Sequence, residues 1–262
     1  MKTILKKYWG FDDYLPLQEE AIAAVLADRD SIVVLPTGGG KSLCFQAPAL
    51  VRPGLAVIVS PLISLMKDQV DALNESGVPA LRIDSSLTGV EKAESFLRIR
   101  NGDMRIVYCS PERIMSESFL GFLRDTEISF IAIDEAHCIS HWGHDFRPEY
   151  RQLGRLKKLF PGIGIHAYTA TATPPVREDI GRQLNLKNPE ILVGSFDRPN
   201  LIYRARPRSH RLGQVKEVID RHRDESGIIY CIRRKDVDNL CASLCREGYR
   251  AAPYHAGMTA RD

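Results

Sequence analysis

Six short runs rich in valine and isoleucine, several of them apolar at successive positions, restrict this chain more than any other feature. They lie at 31–35, 55–60, 79–83, 104–109, 128–133 and 163–169. A strand that is apolar on both faces must be covered on both faces, which is the condition of parallel strands between helix layers. Stretches with helical spacing fall between the runs, at 18–27, 41–50, 63–74, 88–101, 147–159 and 175–184. Repeated strand–helix units with short connections predict an α/β fold with a doubly wound parallel sheet.

The pattern changes near 194–209. Asp197-Arg-Pro-Asn200 followed by Arg204-Ala-Arg-Pro-Arg208 reads as an exposed basic connector. The expected organisation is a first lobe at 1–195, a connector at 196–208 and the start of a second lobe at 209–262. That second lobe would hold helix 211–223, strand 227–231, helix 235–247 and strand 250–254. Two such units are too few to close a doubly wound lobe. Thr259-Ala-Arg-Asp262 resembles the opening of a capped helix. The chain is therefore expected to be the N-terminal piece of something longer, its second lobe truncated.

Composition removes several classes. The 262 residues are 44% hydrophobic and 26% charged, ordinary for a globular chain, and no apolar run approaches the ~18 residues of a membrane span. The first ten residues lack a secretory pattern. The six cysteines form no Cys-x-x-Cys pair, so no zinc is expected and reduced thiols of a cytosolic protein are. From Asp197 onward, 14 Lys+Arg stand against 9 Asp+Glu, a net of +5; the first 196 residues net −2, which together give the +3 of the whole chain. A basic region of that size suits either phosphate tracking or a solvated surface.

Chemistry is concentrated in two places. Leu35-Pro-Thr-Gly-Gly-Gly-Lys-Ser42 follows a strand run and opens a helix, the setting of a phosphate loop. Gly38, Gly39 and Gly40, with Thr37, let backbone N–H groups approach phosphate oxygens, and the helix start adds its positive end. Lys41 would reach the β- and γ-phosphates, and the Ser42 hydroxyl would bind Mg²⁺. Leu35 stands where the general pattern has its first Gly. The second place is Asp134-Glu-Ala-His137, at the end of the run 128–133. Asp134 can hold Mg²⁺ there, and Glu135 can orient and deprotonate an attacking water.

Together with Thr169-Ala-Thr171, these segments resemble the motif series of superfamily 2 helicases. The surrounding words resemble the RecQ family of DNA helicases over nearly the whole chain. They are Gly10-Phe11 with Pro16-Leu-Gln-Glu-Glu-Ala-Ile22, Ser60-Pro-Leu-Ile-Ser-Leu-Met-Lys-Asp-Gln-Val70, Ser110-Pro-Glu-Arg113, Ala136-His-Cys-Ile-Ser-His-Trp-Gly-His-Asp-Phe-Arg-Pro-Glu-Tyr150, Ser195-Phe-Asp-Arg-Pro-Asn200 and Tyr254-His-Ala-Gly-Met258. The resemblance implies two RecA-like lobes, ATP and Mg²⁺ as cofactors, and single-stranded and partly duplex DNA as partner.

It also implies roles. Gln18 belongs to the motif that reads adenine, although Leu15 and Leu17 stand where the family has Arg and Gly. Trp142, Phe146 and Arg147 belong to an aromatic loop for unstacked bases, with His141 where the family usually has Gln. His137, Thr169 and Thr171 would link the nucleotide state to DNA contact. Ser60, with the segment 60–65, and Arg113 would hold the DNA backbone. Arg234 and His255 would face DNA from the second lobe, with Arg233 replacing a small polar residue.

The implied function is an ATP-dependent helicase moving 3′ to 5′ on DNA in repair and recombination. It would act in the cytoplasm of a bacterium, associated with the nucleoid, or in a eukaryotic nucleus. The second-lobe arginine that stabilises the transferring phosphoryl has no counterpart before Asp262, so little or no turnover is expected of these residues alone. The family's zinc-binding and winged-helix region has no counterpart either. A non-catalytic ATP- and DNA-binding module is the alternative, and an RNA helicase or duplex translocase sharing the motor core is a third.

Overall fold

A computed structural model describes residues 1–143, 145–195, 197 and 200–258. The chain divides into two compact units, Met1–Asp197 and Arg198–Asp262.

The first unit is a seven-stranded parallel sheet between helices. Its elements in chain order are α1 (Lys2–Trp9), α2 (Gln18–Leu26), β1 (Ser31–Val34), α3 (Lys41–Ala49), β2 (Leu55–Val59), α4 (Ile63–Glu75), β3 (Ala80–Ile83), α5 (Gly89–Arg100), β4 (Ile106–Cys109), α6 (Pro111–Ile114), α7 (Glu117–Arg124), β5 (Ile128–Ile133), α8 (Pro148–Arg151), α9 (Leu156–Leu159), β6 (Ile165–Thr169), α10 (Pro174–Gln183) and β7 (Glu190–Val193). The strand order is β3-β4-β2-β5-β6-β1-β7. Every residue of β1, β2, β4, β5 and β6 is buried. That is the outcome expected of runs apolar on both faces.

Alternate residues feed two separate cores. Ile131 and Ile133 pack with Phe119 and Leu123 of α7 and Ile180 of α10. Phe130 and Ala132 pack with Phe45 of α3 and Met66 and Val70 of α4. The registers Ile131↔Ile165 and Val34↔Thr169 set β5, β6 and β1 side by side. The loops after these three strands therefore emerge together at the carboxyl edge of the sheet, where ligands of such sheets sit. At the opposite edge Asp30 ties three segments together. It accepts from Lys157 Nζ at 2.6 Å, from the N–H of Ile165 at 2.9 Å and from the N–H of Lys187 at 2.7 Å.

Several details differ from the sequence reading. The helix expected at 147–159 is broken into α8, a 3₁₀ turn at Gln152–Arg155 and α9. Gly154 lies against the neighbouring backbone there: a Cβ on it would sit 2.2 Å from the Gln183 carbonyl oxygen. Strand β7 was not expected. It is a half-exposed edge strand of four residues, too short for its alternation to stand out. Helices α1, α6 and α7 were not expected either; α6 opens on Pro111, with the Ser110 hydroxyl accepting from Arg113 N–H.

The second unit contains α11 (Arg211–Arg221) and α12 (Arg234–Arg246). The strands expected at 227–231 and 250–254 do not form among the described residues. Neither segment has a strand to pair with, and a strand exists only through its ladder. Ile228, Tyr230 and Ile232 stand exposed. The capped helix opening at 259–262 and the connector residues 196, 198 and 199 lie outside the described residues. No described helix is long and apolar enough to cross a membrane.

Candidate nucleotide site and its neighbouring loop

Beyond β1 the chain stays attached to the sheet for one more residue, Leu35 N–H donating to the Thr169 carbonyl at 3.1 Å. Leu35 is buried, so a core side chain anchors the loop where the general pattern has Gly. The turn itself needs glycine further on. Gly38 and Gly40 have φ of 81° and 68°, the left-handed region that other residues occupy only under strain. Gly39 has no room for a side chain, since a Cβ would sit 2.9 Å from the Pro36 carbonyl oxygen. Gly40 caps α3, whose first turn holds Lys41 and Ser42 and no acidic residue. The result is a concave run of backbone ending at a positive helix terminus, suited to an anion. The Lys41 ammonium donates to the Leu35 carbonyl at 3.2 Å, folded over this loop. Thr37 is exposed on its outer side.

Gln18 braces the loop. It is buried at the first position of α2, behind Leu17 at φ 66°. Its Oε1 accepts from Leu15 N–H at 2.8 Å, and its Nε2 donates to the Gly39 and Gly40 carbonyls at 3.3 and 3.2 Å.

Across the sheet edge, Asp134 extends β5, its N–H donating to the Val59 carbonyl at 2.8 Å. Burial, reinforced by the charge of Glu135, pushes the Asp134 carboxyl up to about 6 against the opposing pull of Lys41 and His137. The Asp134 carboxyl at the end of β5 and the Ser42 hydroxyl on the first turn of α3 are hard oxygen donors of the kind a magnesium ion takes. The residues present therefore fit that ion.

Glu135 adopts the left-handed conformation, φ 48° and ψ 41°, a strained state for a glutamate that persists only when its surroundings impose it. Three contacts do so. Tyr150, fully buried, donates its hydroxyl to the Asp134 carbonyl at 3.0 Å. Cys138 N–H donates to the Glu135 carbonyl at 2.9 Å. His137 Nδ1 lies 3.2 Å from Glu135 Oε2 and 2.8 Å from Thr169 Oγ1. The Thr169 hydroxyl in turn donates to the Thr171 carbonyl at 3.2 Å and accepts from Thr171 N–H at 3.3 Å. Glu135, His137, Thr169 and Thr171 thus form one connected polar chain from β5 to the segment after β6.

The loop that follows packs tightly on this turn. Arg147 N–H donates to the Cys138 carbonyl at 2.9 Å, and a Cβ on Gly143 would sit 2.4 Å from the His137 carbonyl oxygen. Trp142 projects from the loop with 77% of its surface exposed. Phe146 is half-buried, 3.8 Å from the His141 ring and beneath Arg151 at 5.5 Å. The Arg147 guanidinium donates to Asp145 at 2.9 and 3.1 Å and to the Pro61 carbonyl at 3.2 Å, joining this loop to the one after β2.

Two further residues expected to hold the DNA backbone are Ser60 and Arg113. Ser60 is buried, and its N–H donates to the Cys109 carbonyl at 3.0 Å, at the end of the sheet ladder. The Arg113 guanidinium lies 5.3 Å from the centre of the Phe119 ring and 5.7 Å from that of Phe96, a stacked position on the core. In the second unit Arg234 opens α12 and is exposed. His255 Nε2 lies 2.9 Å from Asp238 Oδ1, while its Nδ1 accepts from Gly257 N–H at 3.1 Å. Tyr150 is the residue the sequence reading passed over. An aromatic inside a motif carries no sign of where its hydroxyl will end up.

The family model described as DEAD/DEAH box helicase matches residues 15–180. The chain is 46% identical to "ATP-dependent DNA helicase RecQ" of Pasteurella multocida, over 97% of this chain and 40% of that protein. It is 40% identical to the protein of the same name from Bacillus subtilis, over 98% of this chain and 44% of that one. The chain thus spans about two fifths of the length of the curated relatives it matches. Among solved structures it is similar to the DUF1998 helicase MrfA bound to DNA and AMPPNP, with TM-score 0.59 and 21% identity over 74% of this chain and 28% of that one. That likeness is one of fold.

Proposed function

This chain belongs to the DEAD/DEAH box helicase family, and from that premise we propose that it carries the ATP-hydrolysing part of a DNA helicase of RecQ type. The observation that carries the proposal is the convergence, at one sheet edge, of a glycine-built anion cradle and the strained Asp134–Glu135 turn. The triphosphate lies along residues 37–42, its negative charge met by backbone N–H groups, by the start of α3 and by Lys41 released from the Leu35 carbonyl. Gln18, which braces the cradle, would read the adenine edge of the nucleotide. Ser42 and Asp134 would hold magnesium, which when bound offsets charge on the phosphate oxygens. Glu135 takes the proton of the attacking water, positioned for it by the imposed backbone.

Nucleic acid enters through Trp142. An exposed indole offers a base ~1–3 kcal/mol of stacking, and its loop is bolted to the Asp134–Glu135 turn through Tyr150, Gly143 and Arg147. Phe146 and Arg147 shape that loop, and His137, Thr169 and Thr171 carry the state of Glu135 to the next strand. Arg234 and His255 add DNA contacts from the second unit. The substrate is single-stranded and partly duplex DNA, travelled 3′ to 5′, in the nucleoid of a bacterium or the nucleus of a eukaryote.

The test is the rate of ATP hydrolysis by the intact protein, as distinct from these residues alone, with and without single-stranded DNA and with RNA as competitor. Stimulation by DNA is expected. Equal rates in its presence and absence, or stimulation by RNA alone, would overturn the reading.

A further inference from the structure

We infer that Gln46 is a positioning residue that fastens α3, the helix of the phosphate cradle, to α4 and β4, and so holds the segment 60–62 in place beside the Trp142 loop. This role rests on the nucleotide and nucleic-acid reading given above and belongs to a side chain that touches neither ligand in it. An amide inside an apolar core costs free energy unless its polar atoms are bonded. Gln46 is 5% exposed. Phe45, the residue before it, packs in one core with Met66 and Val70 of α4 and Ile106 and Tyr108 of β4. The Gln46 Nε2 donates to Gln69 Oε1 at 2.8 Å and to the Tyr108 hydroxyl at 2.9 Å. Both of its hydrogens are thus spent, one on each of two other elements. A methionine would fill similar volume with no polar group to satisfy. What the amide adds is a fixed register between three elements.

Helix α4 needs that anchor. Its N-cap is Leu62, which makes no side-chain capping bond, and Leu62 and Ile63 are exposed. A helix start of this kind leaves its first N–H groups without a local acceptor and frays unless it is held from elsewhere. Three contacts hold it. Ser60 N–H donates to the Cys109 carbonyl at 3.0 Å. The Pro61 carbonyl accepts from Arg147 of the Trp142 loop at 3.2 Å. Gln69 accepts from Gln46. Tyr108 directly precedes Cys109, so Gln46 grips both α4 and the strand that fixes Ser60.

The other end of the connection is the cradle. Gln46 follows Ser42 by four positions, on the same face of α3, and Lys41 opens that helix. α3 cannot move against α4 or β4 without breaking one of the two Gln46 bonds. The Trp142 loop is therefore tied to the nucleotide site twice, through the Asp134–Glu135 turn and through α3, Gln46 and α4.

The experiment compares Gln46→Met, Gln69→Met and the double variant with the unaltered intact protein. Methionine keeps the length and the helix preference of glutamine, and Gln69 is half-buried, so its variant tests the same bond with little demand on the core. Hydrogen exchange in the absence of ligands should quicken at residues 62–66 in each variant and stay unchanged in β5. Basal ATP hydrolysis and KM for ATP should be retained, while the stimulation by single-stranded DNA falls roughly 2- to 30-fold. The double variant should be no worse than the worse single, because one bond is lost in all three. Unchanged exchange at 62–66, an undiminished stimulation ratio or additive losses in the double variant would overturn the role. So would a basal rate that falls in step with the stimulated one as the urea midpoint drops, which would make Gln46 a packing residue only. An unaltered protein that DNA does not stimulate would overturn instead the reading on which the role rests, and exchange at 62–66 would still decide whether Gln46 anchors α4.

Discussion

Two runs of similar composition meet opposite ends in this molecule. Ile128–Ile133 of the first unit lies between β2 and β6 and is buried at every residue. In the second unit Ile228, Tyr230 and Ile232 are 82%, 91% and 101% exposed. Both are β-rich and apolar, so propensity does not separate them; a ladder on each side and a helix layer on each face do. The contrast extends to charge. In the first unit burial reshapes ionisable groups, lifting Asp134 to about 6 and holding His166 down at about 3. In the second the described pairs, such as His255–Asp238 and Arg233–Asp236, lie at the surface, where ion pairs contribute little.

Hydrogen exchange offers the largest effect by which to break this comparison. Amides of β5 should open only with the whole first unit, against roughly 5–15 kcal/mol. Those of 228–232 should exchange almost as in a free peptide. Protection in the second segment equal to that in β5 would end the contrast.

Next in size is Glu135→Gln, expected to slow ATP hydrolysis by about 10²–10⁴ while nucleotide binding persists; single-turnover rates and calorimetry read the two separately. The matching structural test is Asp30→Ala. It leaves Lys157 buried without its partner and should lower stability by about 3–5 kcal/mol in denaturant titration. The comparison predicts that Asp238→Ala, at the surface, changes stability by less than about 1 kcal/mol.

A smaller effect is set by pH. His166 is fully buried, its Nδ1 2.9 Å from Ser31 Oγ. Burial depresses its imidazole from the ordinary 6.5 to about 3, so between those values the unfolded chain binds the proton and the folded chain does not. Stability from this group is complete above 6.5 and falls as the pH drops, by about 2 kcal/mol at pH 5. His166→Gln should flatten that slope in urea midpoints measured from pH 7.5 to 5. The smallest change is Tyr150→Phe, which removes one hydrogen bond worth about 0.5–1.5 kcal/mol. Basal ATPase should survive it, and the extra stimulation by single-stranded DNA should shrink. An undiminished stimulation ratio would detach the Trp142 loop from Glu135.

What could be read in advance was local. The alternation of runs and helices through the first six strands, the glycines before Lys41 and the carboxylates ending β5 each depend on a few neighbouring residues, and these lie where they were expected. Tertiary matters were hidden. Gly154, in the 3₁₀ turn that interrupts a helix, lies against the carbonyl of Gln183, 29 positions away in the chain. Ser60 and Arg113 lie in motif words, and only the packing shows that one ends the sheet ladder and the other rests on phenylalanines. The three bonds of Gln18 and the hydroxyl of Tyr150 reach partners that sequence spacing does not reveal.

By itself the amino-acid sequence determined the α/β class, the glycine-built turn before α3 and the carboxylates that end β5, since backbone preference, helix polarity and two-faced apolar runs act over a few residues. Only the tertiary structure decided which runs became strands, that Glu135 is held in a strained turn, and that the Gln18 amide faces the loop. Those outcomes depend on pairing, burial and packing between segments far apart in the chain, which no local pattern encodes.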